Sequence, residues 1–340
     1  ILGGRTFSFT DRITGQTVDN GQHLMIGAYH HTWCFLERIG AKHKVETPIP
    51  TRIPLIDEHG KKNTLKIGTL KPPLNLAWAL ACFGGLSCTD KIRLIRLISP
   101  IRRMRKQGET CSNITVLEWL KQHNQSNTAI QNFWEPLTLA VLNDPPDKTT
   151  ADGLIQMILN SYFAGRRDGF LTFSKAGLSD VFAKPAQRYL ELRGTRIRCG
   201  VGLKEIRMNN NTVHSFLLSN GTVAQADLFV SALPPWDLRR VLPTAFLETQ
   251  SKLRGLNEMQ GSPVVAVNLF FDQPMMTERF VGLTNAQTHW FFNKGNHVNA
   301  IASAAENLMD KTRAEITNIV LNDFKKVVHS VHHVHPVHAS

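Results

Sequence analysis

The sequence predicts an α/β protein. Three observations carry that expectation: short alternating strand patterns at residues 6–18 and across 195–233, a block of helical segments from 74 to 165, and renewed strand patterns at PVVAVNLFFD and HWFFN. At 340 residues, with 42% apolar and 19% charged positions, the chain can bury one large core or two interleaved ones.

The elements follow in chain order. Thr6, Phe7, Ser8 and Phe9 alternate, TDRITGQ supplies turn residues, and Thr17 and Val18 resume the alternation, so a strand pair is expected. Trp33, Phe35, Leu36 and Ile39 recur at helical spacing and predict a helix from about Tyr29 to Ile39. Pro48, Pro50 and Pro54 mark a chain crossing and the first domain boundary. The helical block comprises LNLAWALACF, TDKIRLIRLI with Thr89 as cap, VLEWLKQH and AIQNFWEPLTLAVL. A further helix is expected from Leu178 to Leu192, with Phe182, Ala186 and Leu190 on one stripe and Gly194 as its stop. Residues 195–233 predict three or four β segments: Ile197 with Leu203 and Ile206, then Val213 to Leu218, then LFVSAL, with turns at NNN and Asn220-Gly221. PVVAVNLFFD, residues 263–272, is strand again, and a last helix is expected from about Ala304 to Val328.

Charge narrows the partners. The 39 Lys and Arg against 27 Asp and Glu give +12, compatible with nucleic acid, an anionic membrane surface or a solubilising shell. Lys91, Arg93, Arg96, Arg102, Arg103, Arg105 and Lys106 place seven cations in sixteen residues without an acid. They interleave with Ile92, Leu94, Ile95, Leu97, Ile98 and Ile101, the composition of a helix at an anionic lipid interface. Nucleic acid is not expected, because stacking aromatics and polar base readers do not accompany these cations. A plain amphipathic cap helix is the competing reading.

Cys34, Cys82, Cys88, Cys111 and Cys199 are scattered, odd in number and never spaced as CxxC, so neither a disulfide framework nor a zinc site is implied and a reducing compartment fits. The apolar stretch LNLAWALACFGGL is too short and glycine-broken to span a bilayer of roughly 30 Å. His329, His332, His333, His335 and His338 form a His-rich tail over 329–340 that no carboxylate or cysteine joins, and no metal is assigned to it.

Gly3 and Gly4 let backbone approach a bulky anion and Arg5 offers fixed donors, a grouping that suits a dinucleotide pocket. The strand and GxGxxG turn that usually precede such a group are not in the sequence, nor is an initial Met, so a fragment is expected. Asp19-Asn20-Gly21-Gln22-His23 follows a short strand with a glycine flanked by polar groups, which suits backbone against the edge of a planar ring. An ordinary turn with a loop histidine has the same spelling.

The order GGRTFSF, VDNGQH, helical insert, then a β unit ending ADLFVSALPP resembles the flavoprotein family of amine oxidases and phytoene desaturases. FWEPLTLAVLN at 133–143, FLTFSKAGLSDVF at 170–182 and THWFFNKG at 288–295 are similar to its squalene-associated, hydroxysqualene dehydroxylase branch. The resemblance covers residues 1 to about 325 and departs at both ends, where the glycine-rich first turn and the C-terminal Gly-Asp segment over the flavin are lacking. It implies an FAD-binding Rossmann-like domain of the amine oxidase type, in pieces 1–45 and 190–240. A mixed sheet and helical substrate domain, 46–189 and 241–328, is implied to interleave with it.

Carried over residue by residue, the resemblance implies FAD contacts at Gly3, Gly4, Arg5, Gly21, Gln22 and His23. It also implies a backbone contact at Leu203 and close approach at Ala232, Pro234 and Pro235, while Asp19 is structural. Leu203 as a core strand residue is compatible with that role, and proline ends strands for local reasons too. The implied activity is reductive removal of the hydroxyl of hydroxysqualene to give squalene for hopanoid-type lipids, by an enzyme peripheral at the inner face of the cytoplasmic membrane. Reaction logic asks for a general acid, His23 or Glu135, and for aromatic faces beside an allylic cation, Phe133, Trp134, Trp290 and Phe291. A structural ion pair or helix-start acid for Glu135, and core packing for the aromatics, stay open. So do a carotenoid-precursor desaturase or isomerase and an inactive membrane-surface or polyanion-binding module. Oligomeric state is not indicated.

Overall fold

The computed structural model describes residues 1–209, 211–328 and 336–340, with Arg105 described by its backbone alone. The elements run β1 (Ser8–Thr10), β2 (Thr17–Asp19), β3 (Met25–Ile26), α1 (His30–Arg38), β4 (Val45–Glu46), β5 (Thr51–Ile56), β6 (Lys62–Ile67), α2 (Leu74–Cys82), α3 (Cys88–Arg96), α4 (Ile98–Gln107), α5 (Val116–Gln122), α6 (Asn127–Ala129), α7 (Glu135–Leu142), α8 (Ala151–Tyr162), β7 (Leu171–Ser174) and α9 (Lys184–Glu191). Then come β8 (Leu203–Asn209), β9 (Thr212–Leu218), β10 (Val223–Ala224), α10 (Pro235–Val241), α11 (Thr244–Thr249), β11 (Val265–Phe270), β12 (Phe280–Leu283), β13 (Trp290–Asn293), β14 (His297–Ala302), α12 (Arg313–Val327) and β15 (His338–Ala339). The mixture is α/β, as the sequence predicts.

The chain divides into two compact units. One is Leu190–Gly261 with Ile1; the other takes Leu2–Tyr189 and Ser262–Ser340. The 190–240 segment therefore falls in the smaller unit, while residues 2–45 share the larger one with 46–189.

In the larger unit a seven-stranded sheet runs β15-β11-β14-β13-β12-β5-β6. Its two faces are read from consecutive residues: Leu55 joins a core with Leu80, Phe83, Trp119 and Leu154 of the helices, whereas Ile56 joins Leu269, Phe291, Val320 and Phe324 under α12. Alternation along a pleated strand enforces that split. Residues 51–56, which follow the expected boundary and include its Pro54, form an interior strand between β12 and β6. Pro54 is tolerated there since the parallel pairing with β12 begins only at Leu55, one residue past the missing N–H.

The helical block is built as expected, with two local corrections. The cap of α3 is Ser87 rather than Thr89: its Oγ accepts from Asp90 N–H at 3.1 Å and donates to the Asp90 carboxylate at 2.6 Å. Before α7 and before α9 the helix widens to π turns, Ile130–Trp134 and Ser179–Ala183. Glu135 N–H reaches five residues back to Ile130 O, and Lys184 N–H to Ser179 O, just ahead of Pro136 and Pro185. A proline inside a helix removes one donor and crowds the preceding turn, and the wider turn relieves both.

The last helix begins at Arg313, not near Ala304, where Thr312 and Glu315 exchange side-chain and backbone hydrogen bonds. That Thr-x-x-Glu box is the stronger start signal. In the smaller unit β8, β9 and β10 form an antiparallel sheet, with Gly221 at φ +83° in the Asn220-Gly221 turn. Ile197 and LFVSAL, expected as strand, lie outside it. Among the described residues no ladder partner flanks 228–233, and Leu228 and Val230 are exposed.

Candidate functional site: the Gly3–His23 corner

Two sequence-predicted segments meet at one corner of the larger unit. β1 and β2 pair with Ser8 opposite Asp19, and Asn20 N–H continues the ladder to Phe7 O at 2.9 Å. Asn20 Nδ2 donates to Arg5 O at 3.3 Å, so the Gly21–His23 loop runs beside Gly4 and Arg5. Gly3 sits at φ +93°, where an added Cβ would lie 2.4 Å from Thr6 O; Thr6 N–H closes the turn onto Gly3 O. Gly4, at φ +57°, and Gly21 have open space where a Cβ would stand. Arg5 is exposed and makes no ion pair among the described residues. Open glycine backbone beside an uncommitted guanidinium is a donor set that fits a dinucleotide pyrophosphate.

Beneath this corner lies a polar anchor. Asp19 is buried, and its Oδ1 accepts from Ser8 Oγ at 2.7 Å and from Leu178 N–H at 2.8 Å. Ser8 and Ser179 exchange a second pair of bonds, so the start of the Ser179–Ala183 π turn holds β1 and β2 in place. Lys294, from the turn between β13 and β14, reaches Asp19 Oδ2 at 3.7 Å, and burial lowers its ammonium pKa against the pull of Asp19. His297 is buried beside them, held below the ordinary imidazole range by burial and by Lys294, with its Nδ1 unpartnered among the described residues. Lys294 and His297 are near neighbours in the chain whereas Asp19 lies far from both in sequence; β2 and β14 belong to separate sheets, and the Lys294–Asp19 ion pair links them.

The two candidate acids differ in electrostatics. Desolvation is the main influence on His23 and lowers its pKa; Asp19 pulls it up, Arg5 pushes it down, and a hydrogen bond to the Arg5 backbone favours the charged ring. Glu135, at the end of the first π turn, moves the other way: burial raises its carboxyl pKa and Asp147 adds to the rise. Among the described residues no hydrogen bond or ion pair joins His23 to Glu135.

The aromatic candidates separate by face. Phe133 and Trp134 are buried in the helical core, edge-on to one another at 5.1 Å, and Trp134 Nε1 donates to Gln125 Oε1 at 3.1 Å. Trp290 packs against that same core, and its Nε1 is buried without a partner among the described residues. Phe291, the next residue along the strand, is fully buried on the opposite face against Phe324 at 5.3 Å. Packing accounts for Phe133, Trp134 and Phe291, and only Trp290 offers an unused polar atom.

In the smaller unit Leu203 opens β8 opposite Leu218, and Ala232 and Pro234 lie in the extended approach to α10. Of the tail histidines, His329, His332, His333 and His335 lie outside the described residues. His338 pairs with Asp11 at 3.4 Å and stacks on Phe270. Among the described residues no group of three His, Cys, Asp or Glu is placed to hold a metal ion, and no helix is long and apolar enough to cross a membrane.

Known proteins resemble this chain in sequence and in fold. The model of the flavin containing amine oxidoreductase family matches residues 2–339. The hydroxysqualene dehydroxylase of Zymomonas mobilis is 23% identical over 330 residues, covering 96% of this chain and 74% of that protein. The chloroplastic 15-cis-phytoene desaturase of Arabidopsis thaliana is 22% identical, covering 89% of this chain and 52% of that protein. An oxidoreductase from Methanosarcina mazei shares the fold, with a TM-score of 0.70 at 16% identity, covering all of this chain and 79% of that one. The chain thus belongs to the flavin containing amine oxidoreductase family and is an FAD-dependent oxidoreductase.

Proposed function

We propose that this protein removes the hydroxyl of hydroxysqualene reductively, giving squalene for hopanoid-type lipids. The observation that carries the reading is extent of similarity. The dehydroxylase of Zymomonas mobilis aligns with nearly the whole chain and about three quarters of its own length, whereas the Arabidopsis desaturase aligns over half of its own. In balance, an allylic alcohol, two electrons and two protons become an alkene and water.

Gly3, Gly4, Arg5, Gly21, Gln22 and His23 would hold the pyrophosphate and ring edge of FAD, while the backbone roles of Leu203, Ala232 and Pro234 rest on the resemblance alone. When bound, the reduced cofactor supplies the reducing equivalents. Glu135 is the proton donor to the departing oxygen, because a carboxyl raised by burial stays protonated closer to neutral pH. His23, held below its ordinary range, serves as a neutral hydrogen-bonding group instead. Trp290, whose buried N–H has no partner among the described residues, is the aromatic face assigned to the substrate, and Phe133 and Trp134 belong to the core it packs against. Phe291 supports the strand from the other side.

A polyisoprenoid of this kind partitions into bilayers, so the basic run 91–106 docks the protein on an anionic membrane surface, peripheral at the inner face of the cytoplasmic membrane. The test is product identity. Full-length protein with reduced FAD, given hydroxysqualene and phytoene separately, is expected to yield squalene from the first and no desaturated product from the second. Desaturated phytoene in place of squalene overturns the assignment in favour of the desaturase reading, and a preparation without flavin absorbance overturns both.

A further inference from the structure

The docking face contains a groove that the cofactor corner does not use. It encloses ≈ 1080 Å³ along the α3–α4 elbow and is lined by Ile95 and Ile98, by Phe163 after α8, and by Arg96, Arg102, Arg103 and Lys106. Arg102 lies over the Phe163 ring at 5.5 Å. Between Lys91 and Gly108 the sequence has no acid. Arg93 pairs with Asp90 at 3.8 Å, but among the described residues none of Arg96, Arg102, Arg103 and Lys106 has a carboxylate in ion-pair range. Four uncompensated cations around an apolar floor repel one another, and an anion between them relieves that repulsion.

An independent observation points to lipid. The neighbouring helix α2, tied to α3 by Lys91 Nζ donating to Ala81 O at 2.9 Å, carries Leu74 at 62% and Trp78 at 64% exposure, one turn apart on one face. Ile92 of α3 is 52% exposed. Large apolar side chains exposed on α3 and on the helix tied to it suit the boundary between headgroups and acyl chains.

We infer that this groove binds the phosphate of an anionic phospholipid, its acyl chain lying on Ile95, Ile98 and Phe163 while Leu74 and Trp78 enter the leaflet. The inference rests on the membrane-docking reading and specifies its contact residues.

The experiment is vesicle co-sedimentation of the full-length protein with pure phosphatidylcholine and with phosphatidylcholine containing phosphatidylglycerol, repeated with inorganic phosphate at constant ionic strength. Binding is expected only to the anionic vesicles, unaffected by phosphate. Arg102→Gln with Arg103→Gln is expected to weaken it about 25-fold, from roughly a fivefold contribution per basic residue. Lys106→Gln alone should weaken it about fivefold. Trp78→Ser lowers binding without changing its lipid selectivity. All of these positions are exposed, and unchanged thermal melting confirms folding. If the Arg variant binds anionic vesicles as well as the parent, the groove assignment fails while membrane docking stands. If the parent binds no anionic vesicle, both fail; competition by phosphate, or binding of single-stranded RNA in preference to vesicles, overturns the lipid occupant.

Discussion

The ammonium of Lys294 lies 3.7 Å from the carboxylate of Asp19, so the turn between β13 and β14 is pinned to the strand that leads into the Asn20–His23 loop. Asp19 also accepts two hydrogen bonds, from Ser8 and from Leu178. Removing the carboxylate strands three donors, whereas removing the ammonium leaves Asp19 with two partners. Asp19→Ala is therefore expected to cost about 3 kcal/mol and Lys294→Met about 1 kcal/mol in urea unfolding. An equal or greater loss for Lys294→Met contradicts the ranking.

Acid sensitivity follows from buried neutral histidines. His289 accepts the Ser303 N–H at 3.0 Å through Nδ1, and burial brings its pKa down to about 4 from 6.5, against the pull of Asp323. The unfolded chain then binds more protons than the folded one between those values, so stability falls as pH drops from 6.5 and the loss levels off below about 4. Its size is on the order of 3 kcal/mol. His23 and His297 shift in the same direction and add to the slope. His289→Gln, which keeps an acceptor for Ser303, should flatten the profile in that window.

Two glycines at the proposed cofactor corner answer differently to an added side chain. Gly3→Ala meets both a left-handed backbone and a 2.4 Å approach to Thr6 O, so thermal stability and flavin content should fall together. Gly21→Val enters open space at an ordinary φ. Stability within about 0.5 kcal/mol of the parent is expected, with a marked drop in flavin absorbance per protein. Full flavin retention in Gly21→Val would remove Gly21 from the FAD contacts.

For Glu135 the sign is opposite to that of an ion-paired acid. A carboxyl whose folded pKa is raised above 4.5 loses stability as pH climbs through that value toward the folded one, because the fold favours the protonated form. Glu135→Gln keeps the shape without the charge, so stability at pH 7 is expected to hold or rise by up to about 1 kcal/mol. Turnover is expected to fall about 100-fold or more. Unchanged turnover removes Glu135 as proton donor.

What the residues disclosed by themselves follows the range of the forces involved. The strand pair 8–19, helix α1 and the hairpin at Asn220-Gly221 are local, and alternation and turn chemistry suffice to place them. The π turns were hidden because Pro136 and Pro185 mark a disturbance without saying how the ladder adjusts. Strand β5 was hidden because its proline spells a breaker, while its pairing with β12 is supplied from the far end of the chain. The Gly3–His23 corner was legible in its backbone-led members, where glycine type dictates geometry. Lys294 and His297 carried no local signal, since only the β13–β14 turn delivers them to Asp19. Trp290 and Phe291 look alike as letters, and only strand alternation tells which one faces the helices.

The parallel pairing of Leu55 with Gly282 also sets a schedule for biosynthesis. On the ribosome the β5–β6 hairpin emerges long before β12, and at roughly 5–20 residues per second its open edge waits on the order of ten seconds or more for a neighbour. During that interval the helices that cover Leu55, Leu65 and Ile67 are already made, but Ile56 still lacks its layer, which begins at Val267, so holding β5 open is expected to call on chaperones that shield strand edges.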